Sequence, residues 1–252
     1  MDLRLRERVY VVTGASGGLG RAIAAALTGE GARVVVSGRD QSRIDAAAAA
    51  IGADSAIGVV ADNADPAAAT RLVDAAISRW GRLDGVAVSV GGPPAGAATS
   101  VTDQQWRESF ESVFVGAVRT ARVVAENLGQ DGSILFVLSS SVRQPIAGLA
   151  ISNGLRPGLA MVAKTLADEL GPRGIRVNAV LPGKIETDRI VYLEGRADDP
   201  AAARAAAEGA VPLRRYGQPD ELGRAAAFLL SPAASYVSGV MLPVDGGAIR
   251  AL

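Results

Sequence analysis

The chain has 252 residues, and lysine plus arginine equals aspartate plus glutamate at 26 each, which argues against a nucleic-acid binder or a protein held on anionic lipid. Neither cysteine nor histidine occurs, which excludes disulfides, thiolate nucleophiles, Ser-His-Asp triads and the usual zinc sites. Any proton chemistry must therefore use tyrosine, lysine, serine, carboxylates or water, and a small-molecule enzyme fits this composition best.

Short β-branched runs alternate with alanine-rich helical stretches along the chain. The predicted strands are residues 8–12, 32–36, 55–60, 85–90, 133–138 and 176–181, and the predicted helices are residues 21–27, 46–50, 66–78, 104–127 and 159–170. Strands that are almost continuously apolar, such as SILFVL, are typically buried on both faces, and their alternation with helices indicates parallel pairing. The pattern predicts an α/β fold, a doubly wound parallel sheet with helices on both faces, and the length predicts one domain.

The amino-terminal stretch MDLRLRERVYVVTG has no apolar run long enough for a signal peptide. No window of the sequence approaches the roughly 18 apolar residues of a membrane span. We therefore expect a cytoplasmic protein.

A glycine-rich turn, TGASGGLG, lies between the first predicted strand and the first predicted helix. Glycines allow the backbone to approach a pyrophosphate, whose charge is stabilised by free amides and by the positive end of the helix. In this place in a βαβ unit, the turn predicts a dinucleotide site and a Rossmann-type fold. The predicted cofactor contacts of the turn are Gly14, Ser16, Gly18, Leu19 and Gly20.

The second predicted strand ends Val-Ser-Gly-Arg39-Asp40 and lacks the acidic residue that would accept the ribose 2′-hydroxyl of NAD. Arg39 could instead pair with the 2′-phosphate of NADP, so we expect NADP, with NAD possible; the alternative is a solvated loop arginine. Asp62, after the third predicted strand, could accept a hydrogen bond from the adenine amine. Its alternative is a turn or capping role, because Asp65 before Pro66 also has the pattern of a helix start.

Further segments share the order and spacing of one known family. They are Asp62, GRLDG, the strand that ends at Ser139, LADELGPRGIRVNAVLPG, IETD and GQPDELGRAAAFLLSPAASYVSGVMLPVDGG. With TGASGGLG, they make the chain resemble the short-chain dehydrogenase/reductase family from end to end, and its 3-oxoacyl-carrier-protein-reductase-like members in particular. The resemblance implies hydride transfer between NAD(P) and a carbonyl or alcohol. It also implies further cofactor contacts at Gly91, Pro182, Gly183, Ile185 and Thr187, the last four around the nicotinamide.

The sequence departs from this family at the proton relay. By the resemblance, the relay uses a tyrosine as proton donor, a lysine that lowers its pKa and grips the ribose, a serine that positions the carbonyl and an asparagine that holds water. Alignment back from Lys164 puts Ser152 in the tyrosine place, Arg156 in the lysine place and Val113 in the asparagine place. The family's Asn-Asn-Ala-Gly segment is Val-Ser-Val-Gly, residues 88–91. Only a serine remains of the four groups.

The remaining serine is one of Ser139, Ser140 and Ser141. Strand register and the thirteen-residue step to Ser152 favour Ser139, whereas the local pattern of serine before valine favours Ser141. A serine hydroxyl is a far poorer acid than tyrosine, whose pKa lies near 10. Arg156 stays charged, and it could hold the nicotinamide ribose or a substrate carboxylate. The predicted catalytic set is Ser139, Ser152 and Arg156.

Pro157 has no N–H and belongs in a first helical turn, so we expect a helix that begins close to Ser152 or Asn153, with these residues as caps. Ser152 and Arg156 would then share a helix face. The stretch 189–210 is a candidate substrate lid. It contains Tyr192, the one candidate for a replacement acid, because Tyr10 and Tyr236 fit core or interface positions better.

We therefore expect an NAD(P)-dependent oxidoreductase with an atypical reaction centre and an unidentified small-molecule substrate. One alternative is a cofactor-binding protein without redox turnover, such as a sensor or a non-catalytic subunit; another is dehydration or isomerisation in the same cleft. The resemblance also implies a homodimer or homotetramer, with contacts through the predicted helices 104–127 and 159–170.

Overall fold

The computed structural model describes residues 1–188, 190–191, 195 and 199–250. Its strands are β1 Val9–Val12, β2 Arg33–Gly38, β3 Ala56–Val60, β4 Gly85–Val88, β5 Ser133–Val137, β6 Arg176–Pro182 and β7 Met241–Val244. All described strands form one sheet in the order β3-β2-β1-β4-β5-β6-β7, and every neighbouring pair is parallel. This order confirms the predicted doubly wound sheet, with the reversal of winding between β1 and β4.

Helices cover both faces of the sheet. They are α1 Gly18–Gly29, α2 Gln41–Ile51, α3 Ala68–Trp80, α4 Asp103–Ser109, α5 Gly116–Glu126, α6 Ala150–Leu170, α7 Pro200–Ala210 and α8 Pro219–Leu230. Buried residues of α3, α5 and α6 share one apolar core with the sheet, and those of α1, α2 and α8 share the other. None of the helices in this described part of the chain is long and apolar enough to cross a membrane.

The apolar strand runs follow from this layered arrangement. In β1, Val9 and Val11 enter the core on one face of the sheet, whereas Tyr10 and Val12 enter the core on the other. Because successive side chains of a strand point to opposite faces, a strand between two cores is apolar at every position.

The predicted helix 104–127 is interrupted in the structure. After α4, the backbone forms a π-helical stretch, Phe110–Val115, before α5 begins at Gly116. Gly116 lies directly against the backbone carbonyl of Asn63, so this part of the helix touches the loop after β3. Short π-helical insertions are frequent at functional sites, and this one borders the cavity described below.

The prediction that Pro157 lies in the first turn of its helix is wrong. Helix α6 begins at Ala150 and continues through Pro157, which lies about two turns inside it. Proline is costly there because it removes one backbone hydrogen bond. Burial of Ile151 and Leu155 on the inner face of the helix offsets that cost. Ser152 and Asn153 are therefore not caps, but Ser152 and Arg156 share the buried face, as predicted.

The side chain of Asn153 has a different partner. Its amide donates to the carbonyl of Ile146 at 2.8 Å and accepts from the N–H of Ile146 at 3.0 Å. This two-way bond fixes the loop between β5 and α6 on the first turn of the helix.

Asp84 is a buried polar hub at the start of β4. Its carboxylate accepts hydrogen bonds from the N–H of Val9 at 2.8 Å, from Arg8 at 3.1 Å and from Arg82 at 2.8 and 2.6 Å.

We expect Asp84→Ala to lower the free energy of unfolding, measured by urea denaturation, by about 2 kcal/mol, because the buried N–H loses its partner while the arginines rehydrate. Asp103→Ala, which removes an exposed ion pair with Arg107, should cost at most about 0.5 kcal/mol. Equal losses in the two variants would contradict the hub role.

The candidate lid, 189–210, falls partly on residues 189, 192–194 and 196–198, which lie outside the described residues, as does Tyr192. The described part of this stretch contains α7, which lies between the end of β6 and the start of α8 along the chain.

Candidate functional site

A cavity of about 780 Å³ lies at the carboxyl ends of β1 to β4, where the winding of the sheet reverses. Open α/β sheets bind ligands at this edge, and the volume suits an organic ligand or a cofactor. The loops after all four strands line the cavity, together with α4 and the π-helical stretch. Five predicted cofactor residues meet in its lining: Gly14, Ser16, Arg39, Asp62 and Gly91.

The glycine turn is tightly held against β4. Gly14 has a φ of +59° and lies against the carbonyl of Ser89, so any side chain at this position would overlap that oxygen. The hydroxyl of Thr13 donates to the Ser89 carbonyl at 2.8 Å and accepts from the Ser89 N–H at 2.9 Å. Gly20 in turn lies against the carbonyl of Gly14.

Helix α1 begins at Gly18, at the end of this turn, so its first N–H groups and its positive end lie where a pyrophosphate would need them. Leu19 is half-buried and packs on the core that contains α1. The residues present therefore fit a dinucleotide: the turn leaves space where side chains would otherwise be.

The ribose end of the cavity is basic. Arg39 is exposed, lines the cavity and forms no ion pair within the described part of the chain. Arg43, from the first turn of α2, places its Nη2 atom 3.3 Å from the point where a Cβ of Gly17 would lie. Arg43 thus lies beside the glycine turn, and Arg39 lines the cavity that the turn borders. Sequence reasoning considered Arg39 and missed Arg43.

Asp62 has the turn role considered for it, and its adenine role stays a prediction. It lines the cavity, and its Oδ1 accepts a hydrogen bond from the N–H of Ala64 at 3.0 Å. The turn role is therefore present, and the second carboxylate oxygen is the group that could meet an adenine amine.

The predicted nicotinamide segment lies beyond β6, outside the lining of the cavity. Pro182 is the last residue of β6, and the Gly183 N–H donates to Val244 at 3.0 Å. Ile185 is buried. The Thr187 methyl lies 3.8 Å from the point where a Cβ of Gly18 would be, so Thr187 is next to the glycine turn.

Ser152 and Arg156, predicted as catalytic, lie in the interior, each 5% exposed. The Ser152 hydroxyl is 3.2 Å from the hydroxyl of Ser141. The Arg156 guanidinium donates to the carbonyl of Val137 at 2.7 Å and to that of Val90 at 3.4 Å. Arg156 thus ties α6 to the ends of β5 and β4, and neither predicted residue is among those that line the cavity.

The structure favours Ser141 among the serine alternatives as the neighbour of Ser152. Ser139, which the spacing favoured, uses its side-chain oxygen to accept from the Ser141 N–H at 3.1 Å, closing one turn of 3₁₀ helix. That turn carries Ser141 back under α6, where its hydroxyl meets Ser152. The catalytic assignment of Ser139, Ser152 and Arg156 stays a prediction.

Val113, predicted in the place of the family's asparagine, is apolar and lies in the lining of the cavity. Val113 is 2% exposed and forms a small cluster with Ile151 and Leu155, against which Trp106 packs. No polar side chain of this cluster could hold a water relay.

Comparison with known proteins identifies the family. Residues 14–248 match the family described as enoyl-(acyl carrier protein) reductase. The chain belongs to the short-chain dehydrogenase/reductase family. An uncharacterised oxidoreductase of Methylorubrum extorquens is 36% identical over 97% of this chain and 98% of its own length. L-rhamnose 1-dehydrogenase (NAD(P)(+)) of Azotobacter vinelandii is 36% identical over 96% and 97%.

A solved short-chain dehydrogenase/reductase structure has the same architecture. The L-sorbose reductase of Gluconobacter frateurii, complexed with NADPH and L-sorbose, superimposes with a TM-score of 0.92 at 29% identity, over all of both chains. The predicted family and fold are thus confirmed.

None of the tyrosines in the described ranges lines the cavity. Tyr10 is fully buried, as predicted; its hydroxyl donates to Leu230 at 3.3 Å, and burial raises the pKa of this phenol well above 10. Tyr236 is fully exposed, which excludes the core alternative predicted for it, and the interface alternative stays a prediction. Tyr216 is buried beneath the side chains of Lys184 and of Arg204 from α7.

Sequence reasoning missed one wall of the cavity. The loop Pro93–Ala95 and the side chains of Glu108, Ser109 and Ser112 line it. This loop follows the carboxyl end of β4. Because ligands of open α/β sheets bind at the carboxyl ends of the strands, its place in the sequence could have indicated that it lines the cavity. The helical residues had no such signal, because the π-helical stretch that sets their direction has no sequence pattern of its own.

Proposed function

We propose that this protein is an NADP-preferring oxidoreductase that transfers hydride between the cofactor and a carbonyl or alcohol carbon of a small molecule. The observation that carries the proposal is the cavity at the switch point of the sheet, with the glycine turn on one side and Arg39 at the ribose end. Relatives named as oxidoreductases, one of them for NAD(P)(+), support it.

Each part of the cleft suits one part of the cofactor. The glycine turn and the first N–H groups of α1 would hold the pyrophosphate, Asp62 the adenine amine and Arg39 the 2′-phosphate. Thr187, beside the turn, would hold the carboxamide. When bound, the nicotinamide supplies or accepts the hydride.

The residues of α6 orient the site and do not shuttle protons. Arg156 cannot release its proton, and the Ser152 hydroxyl is a weak acid that shares a hydrogen bond with the hydroxyl of Ser141. Arg156 instead fixes the carbonyl of Val90, next to the cavity residue Gly91. Orientation of reacting groups can supply about 7–11 kcal/mol of a barrier, so turnover does not require a strong acid.

The test begins with calorimetric titration of the purified protein with NADPH and NADH, followed by a panel of carbonyl and alcohol substrates monitored at the nicotinamide absorbance. We expect NADPH to bind more tightly and at least one substrate to be turned over. Binding without turnover of any substrate would contradict the oxidoreductase proposal and favour a non-redox binding protein. Absence of binding would contradict the cofactor assignment as well.

We also propose a homodimer or homotetramer. Phe110 and Met161, on the two helical segments expected to form the contact, are 47% and 68% exposed and apolar. Sedimentation velocity should give two or four times the chain mass of 25.6 kDa. A single species at the monomer mass would contradict this proposal. The cytoplasmic location and the single domain stay predictions.

A further inference from the structure

Helix α7 has an unusual attachment to the molecule. None of its residues is buried, and most are alanines, so it contributes little apolar contact that could fix its position. Its carboxyl end is anchored, because Val211 is buried and the Leu213 N–H donates to the Gly246 carbonyl at 3.3 Å. The rest of the helix needs a second point of attachment.

That second point is Arg204, in the middle of α7. Its Nη1 lies 2.8 Å from Oε1 of Glu186, and its Nε lies 2.9 Å from Glu208 one turn later. The other oxygen of Glu186 accepts from the side chain of Gln218 at 2.9 Å. Glu186 thus uses both carboxylate oxygens to join α7 to the segment before α8.

The two charges stabilise each other. The hydrogen bond from Arg204, followed by that from Gln218, lowers the pKa of the Glu186 carboxyl. Glu186 and then Glu208 raise the pKa of Arg204. Both groups therefore stay charged over the whole range in which the protein would be assayed.

An aromatic ring supports the same guanidinium. Tyr216 is 2% exposed, and the Arg204 Cζ lies 4.9 Å from its ring centroid. The Lys184 ammonium lies 5.7 Å from the same centroid. Cations attracted to the ring in this way hold Arg204 in one direction, toward Glu186.

Glu186 itself lies within the predicted nicotinamide segment. Its neighbours along the chain are Ile185 and Thr187, and its N–H donates to the Gly217 carbonyl at 2.8 Å, so its backbone position is fixed. Glu186 thus joins α7 to the segment that carries Thr187, whose methyl stands beside Gly18 in the glycine turn.

We propose that Arg204 is a positioning residue that couples α7 to the nicotinamide segment, so that cofactor binding and the placement of α7 stabilise each other. This inference rests on the proposed function. The coupling is reciprocal: if α7 in place strengthens cofactor binding, bound cofactor must hold α7 in place by the same factor. Because Arg204 and Glu186 are about one-third exposed, the coupling is screened by salt.

The experiment measures both sides of this reciprocity. Arg204→Gln should weaken NADPH binding by about 5- to 10-fold in calorimetry at low salt. It should also abolish the protection from hydrogen exchange that NADPH gives to residues 200–210 in the unaltered protein. Arg204→Lys, which keeps the charge, should recover part of both effects. In assays, the KM for NADPH should rise more than kcat falls.

Two further variants separate coupling from general damage. Arg224→Gln removes an exposed ion pair with Asp220 on α8 and should change neither measurement. Glu186→Gln should reproduce the Arg204→Gln effect, and the double variant should be no worse than either single one, because both remove one interaction. These variants also supply the test if Arg204→Gln does not fold.

NADPH affinity and exchange at 200–210 that match the unaltered protein in both single variants would overturn the proposal. So would weaker binding with unchanged exchange, or additive losses in the double variant. If the unaltered protein does not bind NADPH, the proposed function fails and the coupling fails with it. If the unaltered protein binds NADPH and the variants bind equally well, only the coupling fails.

Discussion

Replacement of Arg156 by methionine is expected to lower the free energy of unfolding by about 3 kcal/mol. The guanidinium donates to the carbonyls of Val137 and Val90, and hydrogen bonds from a charged donor are worth about 1.5–3 kcal/mol each. Methionine replaces the aliphatic stem of arginine but donates nothing. The carbonyl of Val137, a residue 5% exposed, then loses this donor.

Urea denaturation measures this loss of stability. Two other variants show whether it comes from the hydrogen bonds of the guanidinium. Arg156→Lys keeps one charged donor without the planar fork, so about half of the stability should be lost. Arg122→Met, at an exposed position of α5, should change the free energy of unfolding by less than about 0.5 kcal/mol. Unchanged stability in Arg156→Met, together with lost turnover, would show that the guanidinium acts in the cleft, as the family's lysine place implies.

The fold was predictable because its signals are local and repeated. The strands are mostly apolar runs of four to seven residues, and the TGASGGLG turn is followed by α1, which begins at Gly18. These features need no knowledge of distant contacts. The cavity residues Gly14, Ser16, Arg39, Asp62 and Gly91 follow from the same signals, because all lie just after strand ends.

The interior of the reaction centre was not predictable in the same way. Pro157 indicated a helix start by its local preference, but burial of Ile151 and Leu155 extends α6 to Ala150. The choice between Ser139 and Ser141 depended on whether one turn of 3₁₀ helix follows β5, which no residue pattern indicates. In both cases tertiary contacts decide between alternatives that are close in local free energy.

The contact between Arg204 and Glu186 is also invisible in the sequence. Glu186 belongs to the IETD segment, but Arg204 belongs to no motif, and the stretch between them has no periodic pattern. Their pairing depends on the placement of α7 beside the segment that follows β6, which only the folded chain provides.

Replacement of Arg39 by glutamine is expected to weaken NADPH binding by about 30-fold and to leave NADH binding unchanged. The side chain lines the cavity after β2, where the ribose 2′ substituent lies in this type of fold. One charge-assisted hydrogen bond to a phosphate is worth about 2 kcal/mol, and 1.4 kcal/mol corresponds to a factor of ten. NADH carries a 2′-hydroxyl and gains nothing from the arginine.

Arg39→Asp should go further, because a carboxylate repels the 2′-phosphate and accepts a hydrogen bond from the 2′-hydroxyl. We expect it to reverse the preference, with NADH bound more tightly than NADPH in calorimetry. Arg79→Gln, an exposed arginine in the last turn of α3, is the matched control and should alter neither affinity. An unchanged ratio of the two affinities in Arg39→Gln would mean that Arg39 is a solvated loop residue.

Arg43 decides how complete the reversal is. Its Nη2 atom lies 3.3 Å from the point where a Cβ of Gly17 would be, whereas Arg39 lines the cavity. If both cations face the 2′-phosphate, Arg43→Gln should weaken NADPH binding by less than Arg39→Gln does, and the double variant should lose more than either. A double variant no weaker than Arg39→Gln alone would assign the preference for NADPH to Arg39. In either case the expected discrimination comes from residues at the end of β2 and the start of α2 and not from α6, so cofactor choice and catalysis can be measured separately.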